Sequence, residues 1–340
     1  MIDGAVFDDY WAAVAKGDGR TAIRVAMRQL EDGVPLPDVL DQLVAAGQAE
    51  VGKRWAANEW NVAQEHRATS VSEEVVAALS AIEDLGPDQV GRIVVTCADG
   101  EWHALPSRIL TASLRHAGWD VTFLGASVPA RHLRQLLHDV GPEATALSCM
   151  LPVRLFHARE MIEVSRDAGV PVLIGGRGFG PSGRWGLTLG ANAWAPTASA
   201  ATELLAGSSL PAFTDPAPAL SQPDNAVDDL RRNRDRYVDW CMRDLSIRRL
   251  PDVTAYSQHQ LARTEEDFGH IIDFLAASLY VDDNQLFEEF VGWLDDILVA
   301  RGVPTSTISV GLEIVTGVVG SVPRTIDVLA AGLAVLDSRR

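Results

Sequence analysis

Residues 97–110 read Cys-Ala-Asp-Gly-Glu-Trp-His-Ala-Leu-Pro-Ser-Arg-Ile-Leu, with a histidine two residues after a glutamate. An imidazole ligates a transition metal through one ring nitrogen while a carboxylate orients the other. Glu101 and Asp99 are the candidate carboxylates for His103. No second histidine or cysteine stands nearby at metal-ligand spacing. A single histidine holds a bare ion weakly, so the pattern suits a metal that arrives already chelated with one axial position open, as in a haem or a corrin.

The flanking patterns say how His103 is positioned. Residues 92–99 are β-rich and apolar, and an amphipathic helical pattern begins near Leu105, with Pro106 expected in its first turn, where the missing N–H is not needed. Four more short apolar runs follow, near residues 119–126, 143–150, 170–176 and 192–197, separated by helical patterns starting near Ala130, Val153 and Pro181. This alternation predicts a five-stranded parallel sheet of flavodoxin-like (Rossmann-type) layout over residues 90–205. Ligands of such sheets bind outside the carboxyl ends of the strands. His103 follows the first strand, Ser148 ends the third, and Gly175 and Gly176 end the fourth. Glycines there let a ligand approach the backbone. Residues 1–86 carry apolar positions at three- and four-residue steps and predict a helical bundle; residues 206–224, rich in Pro, Ala and Ser, predict a linker; residues 225–340 predict an all-helical domain, globin-like or four-helix.

Composition narrows the partners. A formal charge of −17 and a pI near 4.8 disfavour nucleic acid and anionic membrane surfaces. Cys97, Cys149 and Cys241 are too scattered for a disulfide framework or a zinc site. No apolar run reaches the ~20 residues of a membrane span, and the start lacks the layout of a signal peptide. A soluble cytoplasmic protein with no catalytic constellation of its own is expected. His116, His132, His138 and His157 lie within helical patterns and are expected at the surface.

The residues around His103 resemble the cobalamin-binding domain of methionine synthases and mutases, whose pattern is Asp-x-His-x-x-Gly, then Ser-x-Leu, then Gly-Gly. Here the matching stretches are Glu101-Trp102-His103-Ala104-Leu105-Pro106, Ser148-Cys149-Met150 and Gly175-Gly176. The resemblance implies that His103 displaces the cobalamin's own base and binds cobalt from below, with the nucleotide tail entering between Ser148 and Gly175-Gly176. Pro106 stands in place of the family glycine and Met150 in place of leucine.

Upstream, residues 51–70 (VGKRWAANEWNVAQEHRATS) place nine residues between Trp55 and Glu65-His66. As one helix, the eleven steps from Trp55 to His66 would span roughly 16 Å. Asn58 is a turn residue, and Asn61 with Gln64 forms a capping-box pattern, so a break between two helices is predicted. This spacing resembles the adenosylcobalamin photoreceptors related to the light-sensitive carotenoid-gene repressors. It implies an indole over the upper face of the corrin or its adenosyl group, with Glu65 and His66 on ribose or adenine. Those repressors carry a histidine after the tryptophan, where this chain has Ala56. The helical pattern begins within the first ten residues, which predicts a chain without their DNA-binding domain.

The order of bundle, sheet and helical domain resembles the photocobilins, which place a biliverdin-binding helical domain behind the cobalamin domain. The resemblance implies two chromophores: adenosylcobalamin for blue-green light and biliverdin for red. Tyr256, His259, Arg263, Asp267 and His270 recur at three- or four-residue steps and are the candidate bilin contacts. Arg231, Arg232, Arg234 and Arg236 are candidates for the propionates, and Cys241 for a thioether. The function implied is a light sensor in which loss of the adenosyl group relaxes the cap, alters a homodimer or larger homo-oligomer, and signals to an effector. The alternatives are a corrinoid protein of a cobalamin-dependent methyltransferase system and a non-photochemical globin-like or stress-signalling module.

Overall fold

The computed structural model describes residues 2–81, 90–207, 210–213, 225–248, 256–320 and 322–339. Most of the expected linker, including residues 214–224, lies outside them. Two compact units divide the chain, Met1–Pro218 and Ala219–Arg340.

The first unit begins with helices α1 (Gly4–Lys16) and α2 (Gly19–Glu31). A continuous helical segment follows: α3 (Leu36–Val39), a π-helical turn (Leu40–Ala45) and α4 (Ala46–Ala56). Asn58 takes a left-handed φ of 58° and ends it. Helix α5 (Val62–Ser80) then starts under a complete capping box: Asn61 Oδ1 accepts from Gln64 N, and Gln64 Oε1 accepts from Asn61 N. The break expected between Trp55 and Glu65 is therefore present.

The sheet contains β1 (Gly91–Cys97), β2 (Trp119–Gly125), β3 (Ala144–Ser148), β4 (Val172–Gly175) and β5 (Ala193–Trp194), all parallel, in the order β2-β1-β3-β4-β5. Strand order reverses between β1 and β3, so the crevice at their carboxyl ends is the switch point where such sheets bind ligands. Between the strands run α6 (Leu105–His116), α7 (Ala130–Val140), α8 (Leu155–Asp167) and α9 (Arg184–Thr188), and α10 (Ala198–Gly207) follows β5. The sequence pattern treats bundle and sheet as separate domains, and α6 explains why they form one unit. Its Leu105, Ile109 and Ala112 are buried in the bundle's own core, beside Leu36, Leu40 and Val75. Ser199 Oγ on α10 also donates to Asp41 Oδ2 in the π-helical turn.

The second unit consists, among the described residues, of α11 (Asn225–Arg232), α12 (Arg234–Arg248), α13 (Gln258–Val281), α14 (Asn284–Ala300), α15 (Thr305–Val318) and α16 (Pro323–Asp337). Buried Phe290 stacks on half-buried Phe274, at 3.9 Å between ring centroids. Among the described residues no helix is long and apolar enough to cross a membrane.

Asn61 satisfies an otherwise unpaired N–H at the start of α5. Asn61→Ala is expected to lower the stability of the first unit by about 1 kcal/mol, read as a shift of its urea unfolding midpoint with the slope unchanged.

Candidate functional site

Glu101 is the most constrained side chain at the switch point. Its side chain has no exposed surface, and both carboxylate oxygens are engaged. Oε1 accepts from His103 Nδ1 at 2.5 Å and from His103 N at 3.0 Å. Oε2 accepts from Met150 N at 2.7 Å and Leu151 N at 3.1 Å, in the loop after β3. Burial raises the Glu101 carboxyl, but the imidazole and backbone donors outweigh it and hold it below the usual carboxylate range. His103 is raised above the ordinary imidazole value, because Glu101 accepts its proton; partial burial and Arg177 oppose this, and Glu65 reinforces it.

The consequence is a defined tautomer. Nδ1–H points at Glu101, so the lone pair of the neutral ring lies on Nε2, on a side chain that is 59% exposed. Pro106 stands in the first turn of α6, behind Ala104 as N-cap, and leaves His103 just outside the helix as expected. The exposed Trp102 flanks it.

The glycine-rich loop after β4 packs closely against the loop after β3. Ser148 and Gly175 are register partners, and Cys149 N donates to Gly175 O at 3.0 Å. The ladder between β3 and β4 is closed there. At Gly176, with φ 102°, a Cβ would stand 2.2 Å from Cys149 O, and at Gly178 one would stand 2.9 Å from Leu151 N. These glycines admit the backbone of residues 149–151, the same loop whose N–H groups hold Glu101.

On the bundle, Trp55 is half-buried in the last turn of α4, and Glu65 and His66 lie in the first turns of α5. His66 Nδ1 bonds Glu65 Oε2, and Thr69 Oγ1 donates to Glu65 Oε1 at 2.9 Å. His66 is 74% exposed and Glu65 25%. The bundle therefore carries a second carboxylate–imidazole pair, and Glu65 acts electrostatically on His103. Trp60 stacks on Trp11 at 5.4 Å, with Arg54 over the Trp11 ring, bracing the 57–61 turn. Sequence reasoning missed that brace; Trp60, next to the capping asparagine, was its one visible signal.

Two family profiles, each described as "B12 binding domain", match residues 91–203 and 6–80. Dimethylamine corrinoid protein 3 of Methanosarcina mazei is 30% identical over 148 residues, which cover 40% of this chain and 87% of that protein. The chain belongs to the B12-binding corrinoid-protein family. The HTH-type transcriptional repressor CarA of Myxococcus xanthus is 30% identical over 178 residues, half of this chain and 57% of the repressor. The structure of the Methanosarcina barkeri monomethylamine corrinoid protein shares the fold, with a TM-score of 0.50 and 20% identity over 60% of this chain and 98% of that one. Cobalamin is thus the ligand class of the first unit. The donor set fits it: one oriented imidazole suits a metal whose equatorial positions a corrin already fills, and among the described residues no group of three or more His, Cys, Asp or Glu forms a site for a bare ion.

The second unit places its candidates differently from the sequence reading. Ser257 caps α13, so Tyr256 lies ahead of the helix and does not share its face. His259, Arg263 and His270 are exposed, and Arg263 pairs with Glu266 at 2.6 Å. Burial raises the Asp267 carboxyl. Arg232 pairs with Asp228, Arg234 with Asp273, and Arg236 lies over the Trp240 ring. Cys241 is buried and its thiol is pushed up to about 12, which leaves little thiolate near neutral pH. In the first unit His157 is half-buried, with Nδ1 lacking a partner, and is not the surface residue its helical pattern suggested.

A glutamine at position 101 cannot accept on both sides of the ring-and-loop arrangement. Glu101→Gln is expected to weaken cobalamin binding about 10- to 100-fold, the range for losing the partner of a metal-ligating histidine. Absorbance titration of the variant, with circular dichroism to verify folding, checks it.

Proposed function

We propose that the protein is a light sensor that holds adenosylcobalamin with its own base displaced and His103 beneath the cobalt. The observation that carries this reading is the pair of carboxylate–imidazole dyads, Glu101–His103 on the sheet and Glu65–His66 on the bundle, with Glu65 within electrostatic reach of His103. Adenosylcobalamin supplies a cobalt–carbon bond that visible light breaks. Around it, Glu101 fixes the imidazole so that Nε2 faces outward. Trp55 offers an indole plane to the upper face, and the Glu65 carboxylate accepts hydrogen bonds from ribose hydroxyls. Once the adenosyl group has left, Glu65 and His66 lose the partner they were arranged around. The bundle, tied to the sheet through α6 and the Asp41–Ser199 bond, then shifts against it and alters association between copies of the chain. On this reading the protein is a regulatory binding protein and not an enzyme.

For the second unit we propose a biliverdin site, on the strength of the domain order. Since His259, Arg263 and His270 face outward and Cys241 is buried, the bilin would be held without a thioether, within the helical core. A second reading, a methyl-carrying corrinoid protein, is favoured by the 30% identity to a dimethylamine corrinoid protein over 87% of its length.

Protein loaded with adenosylcobalamin in the dark is expected to change its absorbance spectrum irreversibly under green light, with a concurrent change in mass by light scattering. A light-stable spectrum with activity as a methyl carrier for a methyltransferase would overturn the light-sensor reading. Biliverdin is expected to add a red-absorbing band that is lost on truncation after Ser221 and is extracted by denaturation, since no covalent bond holds it.

A further inference from the structure

We propose that Gln48 and Thr69 fix the direction in which Glu65 accepts hydrogen bonds, and so make the cap selective for an upper ligand that carries hydroxyl donors. The inference rests on the reading of Glu65 as a contact to that ligand. Gln48 Nε2, on α4, donates to Thr69 Oγ1 at 2.8 Å, and Thr69 Oγ1 donates to Glu65 Oε1 at 2.9 Å, one turn away on α5. A hydroxyl has one proton. Because Thr69 accepts from the amide, that proton turns toward Glu65. The reverse orientation of the Gln48 amide would draw the Thr69 proton inward and set hydroxyl lone pairs against a carboxylate. Only one polarity satisfies the chain. The fold keeps it although Gln48 Oε1 is buried without a partner.

Each Glu65 oxygen therefore has one protein donor, Thr69 on Oε1 and His66 on Oε2. An ionised carboxylate has about four acceptor sites and no proton to give. What remains is a fixed, acceptor-only surface that fits a neighbouring pair of hydroxyls, such as a ribose diol. A methyl group or a small alkyl ligand leaves those acceptors unmet, and sites built to hydrogen-bond a hydroxyl discriminate strongly against analogues without one. Thr69 and Gln48 touch no ligand on this account; they are positioning residues.

The test is the ratio of dissociation constants for methylcobalamin and adenosylcobalamin, measured in the dark on the full chain. The unaltered protein is expected to prefer the adenosyl form. Thr69→Val is expected to cut that preference about tenfold, and Thr69→Ser, which keeps the hydroxyl, to retain it within about threefold. A merely structural role would weaken both cobalamins equally, and thermal unfolding of each variant reports that component separately. The relay is overturned if Thr69→Val leaves the ratio unchanged while Glu65→Gln abolishes the preference. If Glu65→Gln also leaves the ratio unchanged, the reading of Glu65 itself falls.

Discussion

The structure depends on one buried carboxylate. Glu101 has no exposed surface, and leaving it without partners would cost several kcal/mol. Four donors prevent this: the imidazole of His103, the N–H of His103, and the N–H groups of Met150 and Leu151. Two of the four come from the loop after β3, so His103 can be oriented only when β1 and β3 are paired at the switch point. Cys149 to Leu151 reach Glu101 because Gly176 and Gly178 leave room for their backbone. Fold and site are thus one constraint: the parallel register that closes the sheet also assembles the acceptor that points His103 Nε2 outward.

The bundle repeats the carboxylate–imidazole pairing with a looser grip. Glu65 is partly exposed, and its partners are the side chains of Thr69 and His66, where Glu101 uses backbone N–H groups. Backbone donors in the loops that follow β1 and β3 move only with the chain itself, whereas side-chain partners change rotamer more readily. On the proposed light-sensor function, this asymmetry would keep His103 fixed while Glu65 and His66 respond to loss of the adenosyl group. The π-helical turn at Leu40–Ala45 belongs to the same arrangement. Such turns re-phase the residues that follow, here Gln48 and Trp55, and this one is anchored to α10 through Asp41 and Ser199.

Much of this was legible in the sequence. Strand runs such as residues 93–97 are continuously buried because a parallel sheet covers both faces, and the break between Trp55 and Glu65 is written in Asn58, Asn61 and Gln64. The Glu101–His103 pairing follows from a two-residue spacing at a strand tip. What escaped depends on distant contacts. That Gly176 makes room for the Cys149 carbonyl is visible only once the two loops are brought together. The union of bundle and sheet rests on Leu105, Ile109 and Ala112, which read as an ordinary amphipathic helix. The face assumed for Tyr256, His259, Arg263 and His270 presumed a longer helix, but Ser257 and Gln260 form a capping box one residue after Tyr256 and start α13 there. Helical spacing alone cannot tell a pocket face from a solvent face.

The central claim is that His103, held by Glu101, is the lower cobalt ligand. Electron paramagnetic resonance of the protein loaded with the one-electron-reduced, paramagnetic cobalamin tests it most directly. An axial nitrogen of ordinary isotope splits each cobalt line into a triplet, and a heavy-nitrogen nucleus splits it into a doublet. In protein grown on histidine labelled with heavy nitrogen, the triplet is expected to become a doublet, and in His103→Ala the labelled splitting is expected to vanish. A triplet that persists in the labelled protein would mean that the cofactor's own base still occupies the lower position, and would contradict the account.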